Sequence, residues 1–114
     1  MLEPSLESQR RGGALAFELT VENTGDDPVE LSFTDAQRVR VSVYPAGADE
    51  DATPLWRSDA DRMFAQVMGS ETVPAGESRT FDAAWSDPDP GEYYVVAELC
   101  CRNRELRAEE TVLV

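Results

Sequence analysis

The 114-residue sequence contains no histidine and no lysine, and the absence of histidine excludes several kinds of catalytic site. Without an imidazole the chain cannot form a Ser-His-Asp or Cys-His nucleophilic site, and zinc would depend on thiols and carboxylates. The glycines are isolated at turns or paired at Gly12-Gly13, so the sequence has no glycine-rich loop for binding phosphate. We therefore predict a protein that is not an enzyme, with no catalytic residues, no cofactor and no metal site.

Positive charge is scarce as well, because ten arginines stand against 23 aspartate and glutamate residues and the formal net charge is −13. Repulsion among so many carboxylates destabilises a compact fold in dilute buffer, but molar salt shortens the Debye length to about 3 Å and screens it. We interpret the charge as an adaptation to a salt-rich cytoplasm, with an acidic protein from an ordinary cell as the alternative. No basic stripe is available to displace phosphate counterions, so nucleic acid is not expected as a partner.

Cysteines and long apolar runs are also few. Cys100 and Cys101 are neighbours, and Cα atoms about 3.8 Å apart lie below the usual range for a disulfide, so we expect two free thiols. No segment approaches the roughly 18 apolar residues of a membrane span, and Glu3 and Glu7 interrupt the region where a secretion signal is apolar. The sequence therefore predicts a cytoplasmic location and no membrane partner.

Two acidic segments contain oxygen ligands of the kind that calcium prefers, Asp87-x-Asp89-x-Gly91-Glu92 and residues 49–51. Neither continues into a full EF-hand loop. Paired carboxylates also serve glycoside hydrolysis, but the sequence has little aromatic surface to form a sugar cleft. We interpret residues 87–91 as a turn and residues 49–51 as solvated surface.

Alternation of apolar and polar side chains predicts most of the secondary structure, because each strand places one face on a core and one in water. A weaker first strand is predicted around Leu2 and Leu6, and residues 55–57 form a short apolar return. Residues 58–70 fit a helical turn as well as an irregular strand. The alternation is clearest over residues 15–21, 29–33, 39–43, 81–85, 92–101 and 106–114.

The segment Asp89-Pro90-Gly91-Glu92-Tyr93 leads directly into a predicted strand and is typical of a tyrosine corner. In this arrangement a partly buried phenol donates a hydrogen bond back to the backbone where the chain crosses between two sheets. Pro-Gly followed by Tyr also fits an ordinary type II turn, and both alternatives lead to the same architecture. Together with the strand pattern, the segment predicts an all-β, immunoglobulin-like antiparallel β-sandwich of seven to nine strands, with residues 1–114 as a single domain.

Several segments, in their order and spacing, resemble a known family. They are Leu19-Thr20-Val21-Glu22-Asn23-Thr24-Gly25, Leu31-Ser32-Phe33, Ala36-Gln37-Arg38, Val41-Ser42-Val43-Tyr44, Leu55-Trp56-Arg57-Ser58, Met63-Phe64-Ala65-Gln66, Val73-Pro74-Ala75-Gly76-Glu77, Trp85 and Pro90-Gly91-Glu92-Tyr93. The family that they resemble is the BsuPI domain of intracellular proteinase inhibitors. The resemblance implies an immunoglobulin-like sandwich that binds and blocks a cytoplasmic serine protease of the subtilisin type.

A sandwich can inhibit a protease by holding a loop or a strand edge in the active-site cleft, where extended backbone pairs with the enzyme. The segment between Trp56 and Phe64 is the candidate, since these two aromatic residues would anchor it in the core. Its alternative role is to close one end of the sandwich, and the acidic loop 46–53 is a second candidate surface. The predicted partner-binding residues are Arg57, Ser58, Asp59, Arg62 and Met63.

The same fold also permits a second function, that of a non-inhibitory protein-interaction module with an unknown partner. The chain departs from the family in its acidic surface and in the acidic loop 46–53. In both alternatives the partner is a protein.

Overall fold

The computed structural model describes residues 2–34, 36–48, 52–59, 66 and 68–114. Within these ranges the chain forms strands and no helix, so it has no helical segment able to span a membrane. The nine strands are β1 (Leu2–Arg11), β2 (Ala14–Asn23), β3 (Val29–Phe33), β4 (Val39–Pro45), β5 (Trp56–Arg57), β6 (Gly69–Val73), β7 (Ser78–Ser86), β8 (Glu92–Leu99) and β9 (Arg107–Leu113).

The strands form three antiparallel sheets, with the orders β1-β2-β7, β5-β4-β8-β9 and β3-β6. The predicted all-β sandwich with seven to nine strands is confirmed. Strands β1 and β2 make a hairpin closed by Gly12 and Gly13, where Gly12 has a positive φ of 60° that a side chain would disfavour. Strand β1 is ten residues long, whereas the sequence predicted only a weak strand around Leu2 and Leu6.

Buried apolar side chains from all three sheets form one core. The alternation in β2 is typical, because Leu15, Phe17, Leu19 and Val21 are buried while the residues between them are more exposed. Full burial of a side chain of this size contributes about 1.5–3 kcal/mol to stability. The largest fully buried side chains include Phe17, Phe33, Leu19, Leu31, Val21, Val41, Val43, Val73 and Val95.

Trp56 closes the sandwich between the β4-β5 edge and β7. Its ring stacks on Phe17 at 6.2 Å and on Trp85 at 5.9 Å between centroids, and it packs against the buried core. The predicted role of Trp56 as a core anchor is thus confirmed. The second predicted anchor, Phe64, lies outside the described residues.

The predicted tyrosine corner is present at the start of β8. The Tyr93 hydroxyl donates to the carbonyl oxygen of Asp89 at 2.6 Å, and its ring meets Trp85 edge-on at 5.0 Å. Gly91, between Asp89 and Tyr93, has a φ of 155° and pairs through its backbone with Val114. The turn before β8 is therefore fixed both to the core and to the end of β9.

Asn23, the last residue of β2, is a buried polar residue. Its side chain is fully buried, and Nδ2 donates to the carbonyl oxygens of Asp27 at 2.8 Å and Val73 at 2.9 Å. Its Oδ1 accepts from the Gly25 N–H at 3.0 Å, and its own N–H donates to the Glu77 carbonyl at 2.9 Å. Asn23 therefore joins β2 to the end of β6 and to the turn before β7.

Two local expectations differ from the structure. Strand β8 ends at Leu99, so Cys100 and Cys101 lie beyond it, although the predicted strand pattern extended to residue 101, and both are half-buried. Neither forms a disulfide, as predicted. Strand β6 was not predicted, because its inward positions carry Gly69 and Glu71 where an apolar pattern would show larger hydrophobic residues.

Candidate functional site

The predicted contact segment begins on the outer edge of β4. Leu55 N donates to the Val43 carbonyl at 2.7 Å, and Ser58 N donates to the Val41 carbonyl at 2.9 Å. The Ser58 hydroxyl also accepts from the Val41 N–H at 2.9 Å. Backbone and side-chain bonds on both sides of the two-residue strand β5 therefore attach this segment to the four-stranded sheet.

Asp59 gathers three hydrogen-bond donors directly after β5. Its Oδ1 accepts from Arg57 Nε at 2.6 Å, and its Oδ2 accepts from Arg40 Nε at 2.8 Å and from Gln37 Nε2 at 3.2 Å. The Asp59 side chain is only 9% exposed, whereas those of Arg40 and Arg57 are 39% and 45% exposed. We call these four residues the Asp59 cluster.

The electrostatics of the Asp59 cluster favour an ionised carboxylate. Burial alone raises the pKa of Asp59, but hydrogen bonds from Arg57, Arg40 and Gln37, together with the charge of Arg40, outweigh that effect and lower its pKa to about 2. The bond to Asp59 likewise raises the pKa of the Arg40 guanidinium above its ordinary value. The cluster is therefore charged at neutral pH and holds the chain just after β5 in one conformation.

The structure gives the predicted partner-binding residues different surroundings. Arg57 keeps an exposed side chain, while the polar oxygens of Ser58 and Asp59 are used in bonds within the chain. Arg62 and Met63 lie outside the described residues, as does the middle of the acidic loop 46–53, residues 49–51. Sequence reasoning missed Gln37 and Arg40 as partners of Asp59, and no local spacing relates them, because they are brought there by the pairing of β4 with β5.

Arg38 organises the neighbouring strand β6. Its guanidinium carbon lies 4.2 Å from the centroid of the Phe33 ring, and its Nε lies 3.8 Å from Glu71 Oε2. A side chain at Gly69 would place a Cβ 2.9 Å from Arg38 Nη2, so the glycine makes room for the guanidinium. An arginine thus covers the inward side of β6, where a hydrophobic side chain would be usual.

The opposite side of the sandwich, where β1 lies beside β9, has a different polar composition. Glu110 on β9 accepts a hydrogen bond from Ser8 of β1 at 3.3 Å, while its other oxygen, Oε2, is buried without a hydrogen-bond partner. Burial raises the pKa of Glu110, the bond from Ser8 lowers it, and the charge of Glu7 raises it further, with a net upward shift. We call this region the β1/β9 seam.

Comparison with solved structures shows a shared fold. The chain resembles Spo0M, a sporulation control protein from Bacillus subtilis, with a TM-score of 0.58, 15% identity and coverage of 99% of this chain and 49% of that one. It also resembles a β-glucosidase from Kluyveromyces marxianus in complex with glucose, with a TM-score of 0.53, 15% identity and coverage of 100% of this chain and 14% of that one. The chain thus spans half or less of these proteins.

The family relationship comes from the sequence. No curated protein matches the chain. The family model for intracellular proteinase inhibitors, BsuPI, matches residues 2–104, which includes the tyrosine corner, the Asp59 cluster and β6. The chain therefore belongs to the BsuPI family of intracellular proteinase inhibitors.

Proposed function

We propose that this chain inhibits a cytoplasmic serine protease of the subtilisin type, which it binds through the segment that starts at Arg57 and continues to Met63. Membership of the inhibitor family supports the proposal. So does the absence of histidine from the sequence, because it leaves the chain without the general base that most nucleophilic hydrolases use. In this proposal the chain performs no catalysis of its own.

The observation that carries the proposal is the rigid attachment of residues 57–59. Ordering a side chain at an interface costs about 0.5–1.5 kcal/mol, so a segment that is held in place before binding loses less free energy. Ser58 is fixed to the backbone of Val41, and Asp59 is fixed by Arg57, Arg40 and Gln37. Ser58 and Asp59 thus position the segment, and Arg57, Arg62 and Met63 would contact the enzyme.

The test is inhibition of a purified cytoplasmic subtilisin-type protease in molar potassium chloride. We expect a stoichiometric block with a Kd of about 1 nM or lower, as is common for protease inhibitors with interfaces of ordinary size. Full activity of the protease at a large molar excess of the chain contradicts the proposed function. The high salt screens the charge of −13 on the chain, so lack of binding there cannot be assigned to electrostatic repulsion.

Substitutions in the proposed contact segment test its location separately. Replacing Arg57, Arg62 and Met63 together by alanine should weaken inhibition at least a hundredfold, because side chains at the centre of an interface carry most of its binding energy. Arg10→Ala is the matched control, since Arg10 is exposed near the tip of the β1-β2 hairpin. If the triple variant inhibits as well as the Arg10→Ala control, the contact lies elsewhere on the chain.

A further inference from the structure

The small sheet β3-β6 has one side closed by the turn between β8 and β9. Arg102 N donates to the Ser32 carbonyl at 2.8 Å, and the Asn103 side chain accepts from Ser32 N at 3.0 Å and donates to the Glu30 carbonyl at 2.9 Å. The backbone groups of Glu30 and Ser32 therefore point away from β6. Because these groups alternate along a strand, those of Leu31 point towards β6.

The other side of this sheet is the outer edge of β6. Residues Gly69, Glu71 and Val73 lie opposite Phe33, Leu31 and Val29, so their backbone groups point back to β3. The N–H and C=O groups of Ser70 and Thr72 point outwards, and both residues are exposed. Among the strands of the described ranges, only β3 pairs with β6. The edge therefore presents two donors and two acceptors at the spacing of an extended chain.

The features that protect other strand edges from pairing are absent or weaker at this edge. Strand β9 carries the inward carboxylate of Glu110 with an unpaired oxygen, and β1 contains Pro4, both of which disfavour the addition of a strand. On β6 the inward charge is Glu71, whose Oε2 is also buried without a hydrogen-bond partner but lies 3.8 Å from Arg38 Nε, so that its charge is partly compensated. The outward residues of β6 carry only hydroxyl groups.

The edge also adjoins the proposed contact segment. Gln37 bonds to Asp59, and the next residue, Arg38, contacts Glu71 of β6, so one dipeptide connects the two surfaces. Met68, immediately before β6, is 68% exposed. Three of the ten arginines, at positions 38, 40 and 57, lie along this side of a chain whose net charge is −13, so the negative charge is partly compensated here.

We propose that the outer edge of β6 pairs, as an added strand, with an extended backbone segment in the substrate cleft of the inhibited protease. This inference rests on the proposed function and extends its contact surface from residues 57–59 to Ser70 and Thr72. Main-chain bonds of this kind supply affinity without depending on the sequence of the partner. The chain would then occupy the cleft by pairing along an uncleaved strand, beside the side chains of the contact segment.

The decisive variant is Thr72→Pro, which removes an outward N–H without removing a bond to β3. Thr111→Pro is its matched control, because Leu99 pairs with Leu106 and Gly91 with Val114, so that Thr111 also directs its N–H to the outer edge of its strand. A second variant, Thr72→Val, retains the N–H and changes the side chain. Inhibition of the subtilisin-type protease in molar salt is measured for all three, after thermal unfolding has shown that they are folded.

We expect Thr72→Pro to weaken inhibition about tenfold or more, since it removes one interfacial hydrogen bond and its ring also blocks close approach. Thr72→Val and Thr111→Pro should inhibit like the original chain. Undiminished inhibition by Thr72→Pro overturns the strand pairing and leaves the proposed function standing. Lack of inhibition by the original chain overturns both. If Thr72→Pro fails to fold, Ser70→Pro, which removes the other outward N–H of β6, takes its place against the same control, with the same expected contrast.

Discussion

Asp59 and Glu110 are partly buried carboxylates on two sides of the sandwich, and their pKa values are shifted in opposite directions. Asp59 accepts bonds from Arg57, Arg40 and Gln37, and its pKa falls to about 2. Glu110, in the β1/β9 seam, accepts one bond at 3.3 Å, leaves an oxygen unpaired, and has a raised pKa because of its burial. Burial raises the pKa in both cases, so the difference comes from the donors that surround each group.

The donors around each carboxylate affect which strand edge can pair with an added strand. On the Asp59 side the carboxylates of Asp59 and Glu71 lie beside arginines, and the outward residues of β6 are uncharged, which leaves that edge available to another strand. In the β1/β9 seam an uncompensated carboxylate lies beneath the edge, and bringing a second strand over it would remove more water from the charge. We infer that the polar groups under an edge, as well as those on its surface, determine which edge can bind.

The largest expected effect comes from creating a fully buried carboxylate in which only one oxygen keeps a donor, the Gly25 N–H. In Asn23→Asp, the group that now donates to the Asp27 and Val73 carbonyls becomes an oxygen facing two oxygens in a fully buried site. We expect the free energy of unfolding at pH 7 to fall by about 3–5 kcal/mol, as for a buried charge left without its partner. Urea unfolding in molar potassium chloride provides the measurement.

Asn103→Asp is the matched control for this substitution. Asn103 also bonds to two backbone groups, those of Ser32 and Glu30, but it is exposed, so water can solvate the new charge. We expect a loss of about 1 kcal/mol or less there. Equal losses in the two variants would show that burial is not what makes an unpaired carboxylate costly in this fold.

The next largest change in the free energy of unfolding is expected from removing the charge of Asp59. The pKa of Asp59 is lower in the folded chain than its ordinary value, so its contribution to stability is complete above about pH 4 and is lost as the pH falls through about 2. We expect Asp59→Asn to lower the free energy of unfolding by about 2 kcal/mol at pH 7, with the difference from the original chain narrowing between pH 4 and pH 2. Urea titrations at several pH values and constant ionic strength measure this difference.

Asp82→Asn, on the exposed face of β7, is the control for general charge relief, and we expect only a small effect from it. A difference for Asp59→Asn that stays constant down to pH 2 would contradict the account of the Asp59 cluster.

The smallest effect is expected at Glu110 and has the opposite sign. A carboxyl whose pKa is raised by folding destabilises the folded state once it ionises, so stability improves as the pH falls through its pKa. Glu110→Gln should therefore raise the free energy of unfolding at pH 7 by about 0.5–1 kcal/mol, and the gain should vanish at acidic pH. Glu3→Gln, at an exposed position on β1, serves as the control. A destabilised Glu110→Gln variant would show that the seam depends on the charge.

The sequence was sufficient to predict features with a local pattern. Alternation located β2, β3, β4 and β7, and the spacing of Asp89, Gly91 and Tyr93 identified the tyrosine corner. Features that depend on contacts distant in the sequence were not predictable. Strand β6 has Gly69 and Glu71 inward because Arg38 fills that space, and the partners of Asp59 are brought together only when β5 pairs with β4.

The contact surface could be predicted only in part for the same reason. The sequence predicts a contact segment between Trp56 and Phe64, and the side chain of its first residue, Arg57, is 45% exposed. The same pattern could not show that Ser58 and Asp59 bond within the chain. Hydroxyl and carboxylate groups look alike in a sequence whether they face a partner or a neighbouring strand.

Amide hydrogen exchange of the chain, alone and with an inhibited subtilisin-type protease in molar salt, measures whether the outer edge of β6 is covered in the complex. We expect the amides of Ser70 and Thr72 to exchange rapidly in the free chain and to become protected in the complex. The amides at the outer edge of β9, including Thr111, should be unchanged. Protection that appears along β9 while Ser70 and Thr72 stay unchanged would contradict the account.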